Sequence, residues 1–243
     1  MPSNTAVKTL VSPTLHPANI ESLEGYEAAK QYVAHSVTAL DSAYQAVEHV
    51  MEARKKLQLD ESRTKKAQVL MAAQLSEKYL DSLQKTFESS WARLDSGIKH
   101  IEAELSKPLE EFAGIGNVAT EIRAHFKTMS QGERRKLIAE ALEVGDEKTI
   151  KSICGAPAYL SGINEVEQQH TIRNFHMKTN PVISQRLIVM KSAKGKLEQA
   201  KPIVFTEMEK ALGVTRIELA KLKASNSEAE AVLIIKEFAP SPD

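Results

Sequence analysis

The chain has 243 residues, 42% of them hydrophobic, which is enough to bury a sizeable core and excludes disorder throughout. Its 32 basic and 32 acidic residues cancel, which excludes a whole-protein field that would draw it to nucleic acid or an anionic membrane. The single cysteine, Cys154, excludes an internal disulfide and indicates a reducing compartment. With no signal peptide and no bilayer-length apolar run in the sequence, a cytoplasmic protein that does not enter a membrane is expected.

The first part of the chain predicts a tail followed by long helices. Residues 1–19 contain three prolines and predict an extended N-terminal tail. Apolar residues at helical spacing then predict a long helical hairpin or coiled coil over residues 20–112. Its first apolar stripe steps 4-3-4-3-4 and predicts self-association into a homo-oligomer. This predicted seam comprises Val33, Val37, Leu40, Tyr44, Val47 and Met51.

A second apolar stripe predicts another long helix, which would pack beside the first. It opens with an eleven-residue repeat, which favours straight helices over a left-handed supercoil. Between the two stripes, residues 52–66 could form a turn near Asp60 and Ser62 or continue as one rod, and the N-cap preference of Asp and Ser favours the turn. The second stripe comprises Leu83, Phe87, Trp91, Leu94, Ile98, Ile101 and Leu105.

After Pro108 the pattern changes to shorter helices with clear stop signals. It predicts a compact helical domain over residues 113–238 and a C-terminal tail over 239–243. Three short helices are expected within 117–154, and Ser130 with Glu133 predicts a capping box at the start of one of them.

The segment SICGAPAYLSGIN, residues 152–164, is interpreted as a connector between two helices. Its first glycine and its proline end one helix, and Ser161 or Asn164 can cap the next. Tyr159 and Leu160 are expected to fill the gap between the flanking helices.

The remaining C-terminal sequence again predicts helices. A long helix is expected to begin at Pro181, with a kink or break at Pro202. No segment alternates with the period of two that is typical of a β-strand, so the predicted fold class is all-α.

No stretch of the chain carries a catalytic, metal-binding or nucleotide-binding signature. The histidines form no pair at the i, i+3 or i+4 spacing of metal ligands on a helix. Cys154 is predicted at a helix C-terminus, where the dipole disfavours a thiolate, so a buried and inert thiol is expected. We therefore expect no catalytic residue, no metal and no cofactor, and the sequence does not support an enzyme.

One region of the sequence is strongly basic. Residues 168–201 carry seven basic side chains against one acid, Glu198. Such a stripe predicts a contact with an acidic partner protein or with nucleic acid backbone. The candidate contacts are Arg173, Lys178, Arg186, Lys191, Lys194 and Lys201.

The segment 205–223 is similar to a helix-turn-helix DNA reader. A helix ends at Leu212, a turn follows at Gly213, and a second helix begins soon afterwards. Glu209 departs from that pattern, which usually has a small buried residue at this place. The DNA contacts implied by the similarity are Arg216, Lys221 and Lys223.

The run SQGERRKLIAEALEVGDEKTIKSICGAPAYLSGI, residues 130–163, resembles segments of functionally uncharacterised helical proteins encoded by tailed bacteriophages and prophages. The resemblance implies a setting, a bacterial cytoplasm during infection or a virion and its assembly pathway, and no functional residue. The leading expectation is a non-enzymatic interaction protein that self-associates through the predicted seam and binds another protein through its C-terminal domain. The alternative is a DNA-binding regulator that uses 205–223.

Overall fold

A computed structural model describes residues 10–110 and 117–232 of the chain. The described residues contain helices and no strand, which confirms the predicted all-α class. Both predicted tails extend outside this part of the chain, over residues 1–9 and 239–243, as does the start of the predicted compact domain. The helices are α1 (Ala18–Glu21), α2 (Tyr26–Leu57), α3 (Lys65–Leu105), α4 (Val118–Thr128), α5 (Gln131–Val144), α6 (Glu147–Cys154), α7 (Ala158–Ser161), α8 (Glu165–Thr179), α9 (Pro181–Leu212) and α10 (Arg216–Val232).

The turn predicted between the two long helices is confirmed. Residues 58–64 separate α2 from α3, and within this turn the Ser62 N–H donates to Asp60 Oδ1 at 3.0 Å. Farther along, the Ser90 hydroxyl donates to the His35 carbonyl oxygen at 3.0 Å. Because residues far from the turn are paired in reverse order, these parts of α2 and α3 form an antiparallel hairpin.

The described part of the predicted N-terminal tail is folded. Val11, Leu15 and Ile20 are buried; a single 3-10 turn carries Leu15, and α1 carries Ile20. The Ser12 backbone N–H donates to the carboxylate of Glu207 at 3.2 Å. Pro13 and Pro17, which suggested an extended tail, instead lie at the starts of short helical turns, because a fixed φ near the helical value suits the beginning of a helix.

The predicted start of the long C-terminal helix at Pro181 is confirmed. Of the kink or break predicted at Pro202, the break is wrong. Helix α9 continues through this residue to Leu212. Buried side chains lie on one face on both sides of it, among them Leu197 and Val204. Packing on that face stabilises the helix. Pro202 is exposed, so the carbonyl oxygen that lacks a backbone hydrogen bond because of this proline lies on the solvent side.

The chain divides into two compact units that differ from the predicted division near residue 112. Unit 1 comprises the described residues within 1–22, 34–92 and 193–243, and unit 2 those within 23–33 and 93–192. Three of the four unit boundaries lie inside α2, α3 and α9, and the fourth lies between α1 and α2. A prediction from the sequence pattern alone cuts the chain where the pattern changes after Pro108, whereas long-range contacts join segments that are far apart in sequence.

Unit 2 has its own apolar core, in which α6 contacts α4, α5 and α8. The three short helices predicted within 117–154 are confirmed, as is the Ser130–Glu133 capping box on α5. Side chains from these helices and from α8, together with Leu109 after the end of α3, make up the core. The buried members are Leu109, Phe126, Ala141, Ile150, Ile153, Cys154, Ile172 and Phe175.

The connector at 152–164 ends one helix and starts another as predicted, but its apolar residues point elsewhere. Asn164 caps α8 through the backbone N–H of Glu167 at 2.8 Å. Tyr159 is 72% exposed, so its expected role as a plug is wrong. Helix α7 instead turns Ser161 inward, where its hydroxyl donates to the Ile153 carbonyl oxygen at 2.6 Å.

Candidate interaction surfaces

The described residues hold no group of three or more metal-ligating side chains. Cys154 is 3% exposed in the core of unit 2, and burial raises the pKa of its thiol to about 12. A thiol with such a pKa remains protonated at neutral pH and is a poor nucleophile. The predicted burial of this thiol is therefore confirmed, and its inertness stays a prediction.

The predicted self-association seam is covered within a single chain. Leu40, Tyr44 and Val47 have no exposed surface, nor has Val33 in unit 2. The other two members, Val37 and Met51, are partly buried. Side chains without exposed surface cannot contact a second copy, so the structure contradicts the assignment of self-association to this seam.

The second predicted stripe is a packing stripe with one exception. Six of its seven members are buried, from Leu83 to Leu105. Trp91 is 40% exposed. Its indole N–H donates to Glu198 at 3.1 Å, and the Lys194 ammonium lies 4.1 Å from the ring centroid. The only tryptophan of the chain therefore belongs to the surface of unit 1.

Much of the predicted basic stripe is bound within unit 2. Lys191 and Arg173 both pair with Glu102, at 2.5 and 3.5 Å. The Lys191 ammonium is the main cause that lowers the pKa of the Glu102 carboxyl, and Arg173 adds to it. The Lys178 ammonium donates to the carbonyl oxygen of Glu143 at 2.7 Å. The stripe is thus not a single row of solvated cations.

The Arg186 guanidinium, another member of the predicted basic stripe, also has a partner in unit 2. Its carbon lies 4.0 Å from the centroid of the Tyr32 ring, a cation–π contact. A charge held against a ring in this way contributes less to recognition of an acidic partner.

The helix–turn–helix shape predicted at 205–223 is present locally. Gly213 has a φ of 65° between α9 and α10. Two of the three candidate DNA contacts are paired, however: Arg216 lies 3.8 Å from Glu209, and Lys223 forms an ion pair with Glu77. Glu209, which departs from the helix-turn-helix pattern, is partly exposed, so its carboxylate avoids the free-energy cost of burying a charge. With two cations neutralised, α10 has a weak field for phosphate.

A groove of about 440 Å³ opens between α5 and α8 in unit 2. It is described here as the α5/α8 groove. Its apolar lining consists of Ile138 and Leu142 on α5, Ile163 in the connector and Val166 on α8. Val166 is 78% exposed. The two helices run in parallel, because Arg135 lies near Glu167 at one end and Lys178 near Glu143 at the other.

The polar residues of the α5/α8 groove are distributed unevenly. Arg134 and Arg135 line the end where both helices begin, and Arg135 pairs with Glu167 at 3.4 Å. The opposite end has His170 and Asn174, which contact each other at 3.3 Å. Two arginines against the one acid of the lining, Glu167, make the arginine end the more positive one.

A second surface lies on α3 and α9 in unit 1. Two adjoining cavities, of about 290 and 160 Å³, share Phe87 and Lys201 in their lining. The first is also lined by Glu88, Trp91, Leu197 and Glu198, and the second by Leu80, Leu83, Gln84, Val204 and Phe205. We call this surface the aromatic face. Phe205, like Trp91, is exposed, at 39%.

Sequence reasoning missed most of these surface residues. It did not single out Ile138 or Val166 in the groove, or Val204 and Phe205 on the aromatic face. The α5/α8 groove and the aromatic face each combine side chains from two helices. The residue spacing within one helix does not show which other helix lies beside it.

Comparison of the sequence with protein-family models, curated proteins and solved structures found no match. Within the described part of the chain, no helix is long and apolar enough to cross a membrane.

Proposed function

We propose that this protein is a non-enzymatic helical interaction protein that binds another protein through the α5/α8 groove. The observation that carries the proposal is an open apolar groove with an exposed Val166 and a basic end. Monomeric surfaces rarely leave contiguous apolar patches uncovered, and such patches commonly mark binding sites. Its volume of about 440 Å³ is ample for several apolar side chains.

The dimensions of the groove favour an amphipathic helix as the bound element. Residues 131 to 142 line it on α5, a length of about 17 Å at 1.5 Å per residue. A helix of three turns has the same length and presents apolar side chains at i, i+4 and i+7 along one side. Packing between Ile138 and Val166 would cover these side chains.

The charges favour an acidic residue at one end of the partner helix. Arg134 and Arg135 lie where α5 and α8 begin, so an aspartate or glutamate of the partner would meet two cations. Glu133 and Glu167 already cap the two helix N-termini and Glu167 also pairs with Arg135, so Arg134, whose guanidinium donates to the carbonyl oxygens of Met129 and Gly162, contributes most of the surplus positive charge.

The proposal is tested by selecting binders from a library of helical peptides about 14 residues long, with the full chain as the target. Binding of the selected peptides is then measured by fluorescence anisotropy. Ala139→Arg places a long charged side chain in the groove at an exposed position, and we expect it to weaken binding at least about tenfold. Arg135→Glu should weaken the same peptides.

Lys136→Ala is the matched control, because Lys136 lies on the same helix outside the groove and pairs with Glu140 at 3.7 Å. It should leave binding unchanged. Failure to select any peptide, or peptides that bind Ala139→Arg as tightly as the wild-type chain, would contradict the proposal.

For the biological setting, we propose phage assembly or a virion-associated role in a bacterial host. This proposal is supported by the resemblance of residues 130–163 to phage-encoded helical proteins. Mass spectrometry of purified virions tests it: the protein should be present in virions or in assembly intermediates, and its absence from both would contradict the setting.

A further inference from the structure

Helix α10 has an inner side, which packs within unit 1, and an outer side, which is exposed. Lys223 on the inner side is partly buried and pairs with Glu77 of α3. The outer side begins with Ile217, which is 71% exposed. Its exposed members, at steps of four, three and four residues, are Ile217, Lys221, Ala224 and Glu228. This side of α10 is accessible to another molecule.

The sequence continues the spacing of the outer side beyond the described residues. Seven residues after Glu228 comes Ile235, with Ile234 beside it, and three residues later comes Phe238. Steps of seven and three keep residues on one side of a helix, so the pattern predicts an amphipathic stripe that begins with an acid and continues with large apolar side chains. Pro240 disfavours the helical conformation in the residue before it, which predicts a helix end near Phe238.

This stripe has the features that the α5/α8 groove requires of a partner helix. Phe238 follows Glu228 by ten residues, which is about 15 Å in a helix, and the lining of the groove is about 17 Å long. The acid and the apolar residues also come in the order in which the groove has its basic end and its apolar lining. Arg134 donates to the carbonyl oxygens of Met129 and Gly162, which carry no net charge, so its positive charge is available to Glu228.

We infer that the α5/α8 groove binds the C-terminal segment 228–238 of a second copy of this chain. The inference rests on the proposed function, since it names the partner helix of the same groove. With Glu228 at the arginine end, Ile235 and Phe238 lie along the apolar lining. The bound segment then runs in the same direction as α5 and α8.

The contact uses two different surfaces, because each copy has one groove and one C-terminal segment. Such head-to-tail contacts close as a reciprocal pair or a ring, or continue as a chain of copies. A helix of three turns contacts a small surface, and interfaces below about 1,200 Å² are typical of transient complexes. Association should therefore depend on concentration.

Sedimentation velocity of the full chain from about 10 μM to about 1 mM tests the inference. The mean mass of the wild-type chain should rise to that of a dimer or above. Ala139→Arg, which fills the groove, should raise the dissociation constant at least about tenfold, and so should the double variant Ile235→Asp with Phe238→Asp. Lys236→Asp is the matched control, because it introduces the same side chain off the stripe, and it should leave association unchanged.

Mixing the two kinds of variant tests the head-to-tail contact directly. The Ala139→Arg chain keeps an intact C-terminal segment, and the double variant keeps an open groove. Neither should associate alone, but an equimolar mixture should form dimers, because the intact segment of one chain meets the open groove of the other. Circular dichroism should show that each variant retains its helical content.

The helical peptides selected from the library separate this inference from the proposed function. If those peptides bind the groove but the two variants do not associate when mixed, the second copy is not the partner and the groove binds another protein. If neither the peptides nor the mixture shows binding, the inference and the proposed function fail together. A wild-type chain that stays a monomer at every concentration, or association that Ala139→Arg does not weaken, would also overturn the inference.

Discussion

The same substitution, glycine to alanine, should have opposite effects at two positions of unit 1. Gly195 lies inside α9, and a methyl group there meets no atom within 4 Å. Gly213 ends α9 with a φ of 65°, and a methyl group there would collide with the Arg54 guanidinium. The Arg54 side chain also donates to the Ala211 carbonyl oxygen at 3.5 Å.

The magnitudes follow from backbone preference and from the space around each residue. Alanine inside a helix is favoured over glycine by about 0.5–1 kcal/mol, so Gly195→Ala should raise the free energy of unfolding by that amount. Alanine at positive φ costs about 1–2 kcal/mol, and the displaced Arg54 adds to this loss at Gly213. The two variants should therefore differ by about 2 kcal/mol or more.

Urea unfolding followed by fluorescence measures this difference, because the single tryptophan, Trp91, lies in the same unit. With an m value of about 2 kcal/mol/M, each 1 kcal/mol shifts the midpoint by about 0.5 M. A third variant, Arg54→Ala, isolates the steric part, since Gly213→Ala should cost less in that background. Shifts in the same direction for Gly195→Ala and Gly213→Ala would refute the reasoning.

Three further outcomes are expected. A thiol reagent at pH 8 should modify Cys154 only after unfolding, because burial raises the pKa of the thiol to about 12, and rapid modification of the native chain would contradict this. The pKa of the Glu102 carboxyl is lowered in the folded chain, so Glu102 contributes stability at pH values above its unfolded pKa and loses this contribution as the pH falls through its folded pKa. Glu102→Gln should remove this pH dependence. It should lower the free energy of unfolding by less than about 1 kcal/mol, since the group is partly exposed. Duplex DNA titrations should show only weak binding, and Arg216→Ala should not change it, whereas tight binding that falls steeply with salt would restore the DNA-regulator alternative.

Helix ends were the most predictable features of this chain. The capping box at Ser130 and the caps at Asn164 and Thr215 involve residues only three positions apart, so their hydrogen bonds depend little on the rest of the fold. The place of Cys154 at a helix end was predicted for a related reason, because it could be inferred from the glycine that follows.

The predicted seam shows the limit of this reasoning. Its spacing correctly identified the apolar side of α2, since Leu40, Tyr44 and Val47 are buried. The same spacing could not show whether this chain or a second copy covers that side. Any helix with a matching apolar side could have done so.

Sequence alone therefore determined the all-α class and most helix ends and favoured the turn between α2 and α3, because these depend on interactions between near neighbours. Tertiary structure alone decided which apolar residues remain exposed and which charges are paired. Glu102 neutralises Lys191 from 89 positions away, and Trp91 is left at the surface beside α9. Such outcomes depend on which helices pack together, and long-range packing decides that after the local pattern has formed each helix.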